Sequence, residues 1–443
     1  MRGEVRCFSG CHRCQAVKPI ESTRRHLRLT PLILLFTTAA FTASAARVCE
    51  VRTFGAKGDG QAKDTAAFQA AIEACAKGGG TVLVAPGTYR LTPISLKSHV
   101  TLELAKGAVL AGSTDLSDYP NAGEITYQGK VEKRPASLVS AAGQSDVGIR
   151  GEGTIDGSGE VWWRAFRERS AAHEDLPRPW LVQFRECSHV TVEGVTLKDS
   201  PSKTLVAYLS SDVAIRRVHV LAPSDSPNTD GIVAYSSHRV RIENCTVDTG
   251  SDNIIVVSSR AEQPGQDWSS SDITVSDCTL LHGHGASIGS DTGGGVHHVV
   301  MEHLHLNGTS NGLRIKTGRG FGGEVSDIVY RYIDMIGVTP AIAITAYYPS
   351  VPKVDTPVPI SATTPRFHDI LLEHVTSTGG QDAGYILGLP ESPIPNVTLD
   401  DVKISAVKGL RLRNTTVTVH NSTVEAAQGP AFIAEDHAQI VRQ

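Results

Sequence analysis

Four short clusters in this sequence carry groups suited to acid–base chemistry. Asn228-Thr229-Asp230-Gly231 precedes an apolar run, Ile232 to Tyr235, and Gly250-Ser251-Asp252-Asn253 precedes another, Ile254 to Val257. Gly283-His284-Gly285 precedes Ser287-Ile288-Gly289, and Asn311-Gly312 precedes Leu313-Arg314-Ile315-Lys316. Carboxylates and an imidazole can take or give a proton in a transition state. Arg and Lys can grip an acidic ligand. Taken singly, each group has a blander reading. Asp230 or Asp252 could form an Asx turn, His284 could be a loop histidine, and Arg314 and Lys316 could be solvated. At matching phase they make one polar groove, and such a stack is costly unless it serves a ligand.

The phase comes from an internal repeat. The segments beginning at Val190, Val213, Val240, Ile273, Val299, Ile328, Ile370 and Val397 align as eight-residue units spaced roughly 23 to 42 residues apart. Positions one, three and six are apolar in every unit, and position eight in all but one, where Ser377 stands. Alternation runs for one strand, two polar or small residues interrupt it, and it resumes in shifted phase. That is a corner between two short strands. A sandwich would need hairpins and has no reason to repeat one corner. A coil returning to the same corner each turn predicts a single-domain, all-β parallel β-helix over residues 46–443. Each cluster follows one repeat, so Asp230, Asp252, His284, Arg314 and Lys316 should line one face.

Other elements follow. Asp64 reads as an N-cap, Phe68, Ala71, Ile72 and Cys75 as the apolar stripe of a capping helix, and Gly78-Gly79-Gly80 as its end. Cys75 could then pair with Cys49. Cys245 and Cys278 share a repeat position and read as stacked buried thiols. Asp248 falls on a different corner. The stretch from Leu110 to Ala142 exceeds what a minimal coil needs and could close one end of the groove. Tyr347 to Pro365 is proline-rich and reads as a protruding loop, a possible cleft wall.

Residues 1–45 read as a leader and secretory signal peptide: a basic run at Arg24, Arg25 and Arg28, an apolar run from Leu29 to Thr42, and Ala43-Ser44-Ala45 for cleavage. The residues ahead of Arg24 are long for such a leader, as expected of a start codon assigned too far upstream. The apolar run is short for a span, with an uncleaved anchor as the alternative. Localisation is therefore secreted or periplasmic, with no membrane span after cleavage, and the expected assembly is a monomer. The chain's net charge of −4 lacks a nucleic-acid binder's basic footprint. A polyanionic ligand needs a local cationic cluster instead. Cys7, Cys11, His12 and Cys14 lack the second half of a metal knuckle. His297, His298, His303 and His305 lack partners at ligand spacing and read as surface or coil-stacked. No metal or cofactor is expected.

With these residues in view, the chain resembles glycoside hydrolase family 28, the polygalacturonases and their relatives. The resemblance runs through FGAKGDGQAKDTAAFQAAIEACAKGGGTVLVAPGTY, GEGTIDGSGEVWW, NTDGI, GSDNI, GHGASIGS and RIK, in that order. It implies a right-handed parallel β-helix and metal-free, inverting hydrolysis of α-1,4-galacturonosyl links in pectin or another galacturonate-containing polysaccharide. Asp230 then matches a carboxylate that activates water, and Asp252 the second of a paired set of aspartates. His284 matches the histidine that tunes the acid. Arg314 and Lys316 match the grip on a substrate carboxylate. Asn228 and Ser251 fall to substrate contact, and Tyr347 or Tyr348 to the sugar-contacting tyrosine.

The pattern breaks at Ser251, where the family has the general-acid Asp. A serine hydroxyl does not donate that proton at useful pH. Either Asp252 takes the acid role with Asp230 as base, or the protein has become a non-catalytic, pectin-fragment-binding β-helix. The other groove groups are intact, which favours a working or retuned site. A lyase on the same scaffold needs a base and usually a Ca²⁺-holding acidic cluster, and none stands beside Arg314.

Overall fold

Each repeat folds as two short parallel strands around a corner, and the corner has one backbone solution. The fifth residue of every repeat is left-handed: Gly194, Arg217, Asn244, Asp277, His303, Tyr332, His374 and Asp401, with φ between 50° and 77°. For residues other than Gly this conformation costs about 1 kcal/mol. The hydrogen-bond ladder continues through the turn and offsets that cost. The N–H groups of Gly194, Arg217 and Asn244 donate to carbonyls of the next coil at 3.0–3.1 Å. The sixth residue, from Val195 through Cys245 and Cys278 to Val402, drops into the core at 0–2% exposure.

The computed structural model describes residues 47–127, 130–263 and 265–443. The leader, the signal peptide and the Cys7, Cys11, His12 and Cys14 cluster lie outside them. Strands pair in parallel with their equivalents one coil away, and the chain winds as a right-handed parallel β-helix. Apolar residues of successive coils stack in a continuous core. One face of the coil, the cleft sheet, runs through Val182–Arg185, Leu205–Tyr208, Ile232–Tyr235, Ile254–Ser258, Ala286–Thr292, Leu313–Lys316 and Ile342–Thr345.

The N-terminal end is covered by helix α1, Thr65–Ala76, which buries Phe68, Ala71, Ile72 and Cys75 as the stripe predicts. Asp64 sits at the N-cap position, but its carboxylate does not cap the helix. It accepts the backbone N–H groups of Lys57 and Gly58 at 2.7 and 3.1 Å, tying down the preceding loop. Cys75 is bonded to Cys49, while Cys187, Cys245 and Cys278 are buried free thiols. Helix α2, Glu160–Ala171, was not anticipated. It packs Trp162 and Trp163 against the coil, where Trp163 Nε1 donates to Ser200 O at 3.0 Å.

Between 110 and 142 the extra chain forms an antiparallel hairpin, Asn121–Tyr127 with Lys130–Pro135, standing off the coil. It is held to the cleft sheet by Ile125 and Tyr127, packed on outward apolar residues such as Val233 and Ile255, and by Tyr235 Oη and Ser259 Oγ, which both donate to Thr126 O, at 2.6 and 2.7 Å. His303, Tyr332 and His374 form an outward ring stack with 4.9 Å between centroids, so this histidine is coil-stacked as expected. Among the described residues no helix is long and apolar enough to cross a membrane, and no group of three or more His, Cys, Asp or Glu could hold a metal ion.

Candidate active site

The register of the cleft sheet decides which polar groups meet. Leu205, Ile232, Ile254, Ala286 and Leu313 are paired in sequence across five strands. Two residues ahead of the first four lie Lys203, Asp230, Asp252 and His284, one per coil at about 4.8 Å per step. Close coil contacts make glycine obligatory beside them. A Cβ on Gly231 would lie 2.4 Å from Asn253 O, and one on Gly285 would lie 2.2 Å from Asn311 O. Asn253 fixes the turn from inside. Its Nδ2 donates to the carbonyls of Val247 and Leu281 at 3.0 Å, and its Oδ1 accepts Gly285 N–H at 2.8 Å.

These residues floor a cleft of about 460 Å³, within the usual range for a ligand site. Asp230, Asp252, His284, Arg314 and Lys316 line it together, as the phase argument predicts, and so do Asn228, Ser251 and Tyr348. Tyr347 does not. It is buried between Arg319 and Arg413, each 5.9 Å from its ring, whereas Lys316 Nζ lies 5.4 Å from the ring of Tyr348. Of the two tyrosines that the sequence left open, Tyr348 is the one lining this cleft. Asp248 stays on a different strand, paired with His282 at 2.7 Å.

Asp252 is caged. Its Oδ1 accepts Arg314 Nη1 at 3.0 Å and Ser287 Oγ at 2.5 Å, and its Oδ2 accepts Lys316 Nζ at 2.7 Å. His284 Nδ1 stands 4.0 Å away. Burial opposes ionisation of Asp252, but Lys316, then Arg314 and His284, outweigh it and hold the carboxyl well below the usual carboxylate range. Burial pulls the Lys316 ammonium below its ordinary value, against the pull of Asp252. His284 also titrates below its ordinary 6.5, because burial and the two cations outweigh Asp252. The cage therefore favours the ionised form of Asp252.

Asp230 has one cationic partner, Lys203, in close contact with its Oδ2. Burial works against the Lys203 ammonium, yet Asp230 and Tyr127 hold it protonated, above its ordinary value. Lys203 was absent from the expected site although it shares the phase of Asp230. Its segment, Ser200-Pro201-Ser202-Lys203, carries no Asp-Gly or His-Gly pair to draw the eye. Ser287 was readable as an outward position of its strand, in register with Arg314. Other newcomers come from outside the sheet: Tyr127, Glu132, Lys133 and Arg134 from the hairpin, and Phe166, Asp175 and Arg178 from α2 and the segment after it. The lining holds six cationic side chains against four carboxylates, in a chain of net charge −4. The cleft is thus a local anion trap.

Comparison with known proteins fits this geometry. The family model for glycosyl hydrolases family 28 matches residues 81–428, and one described as rhamnogalacturonase A/epimerase, pectate lyase-like, matches residues 48–113. A probable polygalacturonase of Vitis vinifera is 31% identical over 370 residues, covering 79% of this chain and 73% of that one. An endo-polygalacturonase of Pectobacterium carotovorum is 28% identical over 424 residues, covering 90% and 99%. The structure of a family 28 exopolygalacturonase of Yersinia enterocolitica superposes with a TM-score of 0.78 at 22% identity, over 90% of this chain and 78% of that one, and so shares the fold. With the family model spanning most of the coil, the chain belongs to glycosyl hydrolases family 28.

Proposed function

We propose that this protein is an exported hydrolase of α-1,4-galacturonosyl linkages in pectin or polygalacturonate. The observation that carries the reading is the cationic cleft with Asp230 and Asp252 on adjacent strands of its floor. The polygalacturonase names of its relatives supply the substrate class. Export is supported by the leader sequence and by the Cys49–Cys75 bond, a bond type of oxidising compartments.

Two carboxylates with room for a water between them suit a single displacement with inversion. Asp252, fixed by Arg314, Lys316 and Ser287, orients the water, and Asp230 takes its proton. The water oxygen bonds to the anomeric carbon as the glycosidic C–O bond breaks. The two cations paired with Asp252 favour its ionised form, so this reading gives the acid role to another group and not to Asp252, one of the alternatives the sequence left open. The donor is His284, as imidazolium in mildly acidic solution. Its backbone N–H donates to Ser251 O at 2.8 Å, so it borders the position where the family carries its acid. The hairpin walls one end of the cleft, which favours action at a chain end.

A second reading, a non-catalytic binder of pectin fragments, rests on Ser251 itself. The test is reducing-end release from de-esterified polygalacturonate. Wild type should release sugar, and Asp230→Asn should lose about 10²–10⁴-fold of the rate. An inert wild type that gains activity as Ser251→Asp would give the site to the binding reading. An unsaturated product would indicate a lyase.

A further inference from the structure

Arg178 is 5% exposed and lines the cleft, yet it makes no ion pair among the described residues. Its guanidinium meets only neutral acceptors. Nη1 donates to Pro201 O and Pro227 O at 2.9 and 2.6 Å, and Nη2 to Asn228 Oδ1 at 2.6 Å. One face lies on the Phe166 ring, 3.9 Å from its centroid. A buried charge without a counter-charge is costly, and here the cost is visible: burial and the nearby Arg134 pull Arg178 down to about 10. Arg134 reaches in from the hairpin over Trp180, 5.2 Å from its ring. Its Nη2 pairs with Glu132 at 2.5 Å, while its Nε is buried with no hydrogen-bond partner. Two guanidiniums therefore share one wall in which Glu132 pairs with Arg134, Asp230 and Asp175 act on Arg178 only at longer range, and one buried donor of Arg134 is unsatisfied.

The location is as informative as the charge. Arg178 and Arg134 border Lys203, one coil before Asp230. Arg314 and Lys316 lie on the other side, two coils beyond Asp252. Lys203 is already taken by Asp230, so it is not the free cation of this wall.

We infer that Arg134 and Arg178 form a second carboxylate subsite, which binds the acid group of a uronic-acid residue at the hairpin end of the cleft. This deepens the galacturonan reading and rests on it. The cleft would then demand free acid groups on two sugars, one on each side of the bond to be cut. Planar guanidiniums suit that task because they meet a carboxylate with paired donors.

The test is calorimetric titration of the full-length protein with a sulfur-linked trigalacturonate, which is not hydrolysed, and with the same trimer fully methyl-esterified. Wild type should bind the acid form more tightly, with an affinity that falls as salt rises. Arg134→Gln and Arg178→Lys should each weaken the acid form about tenfold, on the scale of one charge-assisted hydrogen bond, and leave the ester unchanged. Thermal unfolding of each variant checks that it is folded. Arg134→Gln, on the partly exposed hairpin, keeps the test alive if Arg178→Lys fails. Wild-type affinity for the acid trimer in both variants would overturn the subsite alone. If wild type binds neither trimer, the galacturonan reading fails with it.

Discussion

The two ends of the cleft solve the problem of buried charge in opposite ways. At one end Arg314 and Lys316 share Asp252, with Ser287 completing its shell. Every charge there has its partner before any substrate arrives. At the hairpin end Arg178 has only neutral acceptors, and Arg134 keeps one donor open. The first end is preorganised and holds its groups in one geometry, which is what a reacting centre needs. The second is under-satisfied and gains from an incoming anion, which is what a binding subsite needs. On the proposed reading, the reacting centre and the second carboxylate subsite sit on different coils of one groove.

Breaking the caged end should have the largest effect. Asp252→Asn removes the carboxylate proposed to orient the water and leaves Arg314 and Lys316 without their shared partner. We expect kcat for polygalacturonate to fall about 10²–10⁴-fold. Folding stability should fall by about 3–5 kcal/mol, as for other broken buried pairs, read from thermal or urea unfolding. Unchanged turnover would show that the cage is structural only. The same cage sets an acid limit. The folded pKa of Asp252 lies below its unfolded value of 3.8. Its stabilisation is therefore complete above about pH 5 and is lost as pH falls through 3.8 toward the folded value. Asp252→Asn should flatten that part of the stability curve.

Lys203 lies between the two ends and comes next. Lys203→Met frees Asp230 and leaves it buried without a cation. We expect kcat to fall about 10–100-fold with a smaller change in KM, partial rescue by Lys203→Arg, and a shifted pH profile. A KM effect alone would move Lys203 from positioning Asp230 to binding substrate.

Much of this contrast was already legible in the chain. The eight corners could be read because a coil repeats its apolar positions, and the phase of Asp230, Asp252, His284, Arg314 and Lys316 followed from them. The same rule reaches Lys203, two residues ahead of Leu205, once the alignment is extended one coil back. It does not reach Arg134 or Arg178. They come from a hairpin and a connection that obey no coil period, and their approach to the cleft depends on tertiary packing against Trp180 and Phe166. Asp64 shows a similar limit. Its type and place suggested a helix cap, but two backbone donors in the preceding loop competed for its carboxylate. The cage at Asp252 was hidden too, because spacing brings cations near a carboxylate without saying whether they will close on it.

Proton supply gives a subtler test of the caged end. His284 titrates below 6.5, and its charged form is the proposed donor. The rate should therefore fall as pH rises through that lowered pKa, with little activity left above neutrality. His284→Gln should abolish this limb and most of the rate. Ser251→Asp should restore a carboxylic acid at the family position, raise kcat about tenfold or more, and make His284→Gln tolerable in the double variant. A Ser251→Asp protein still fully dependent on His284 would show that the imidazole does more than donate a proton.

The smallest effect separates the two tyrosines. Tyr348 lies over Lys316 in the cleft, and Tyr347 lies between Arg319 and Arg413 beneath it. Loss of one cation–π contact is worth about 0.5–2 kcal/mol. Tyr348→Ala should therefore raise KM roughly 2–10-fold and leave the melting temperature nearly unchanged. Tyr347→Ala should do the reverse, since its ring fills buried space and touches no substrate. If Tyr347→Ala raised KM in a protein of wild-type stability, the wall of the caged end would extend deeper than Tyr348, and the geometric choice between the two residues would be wrong.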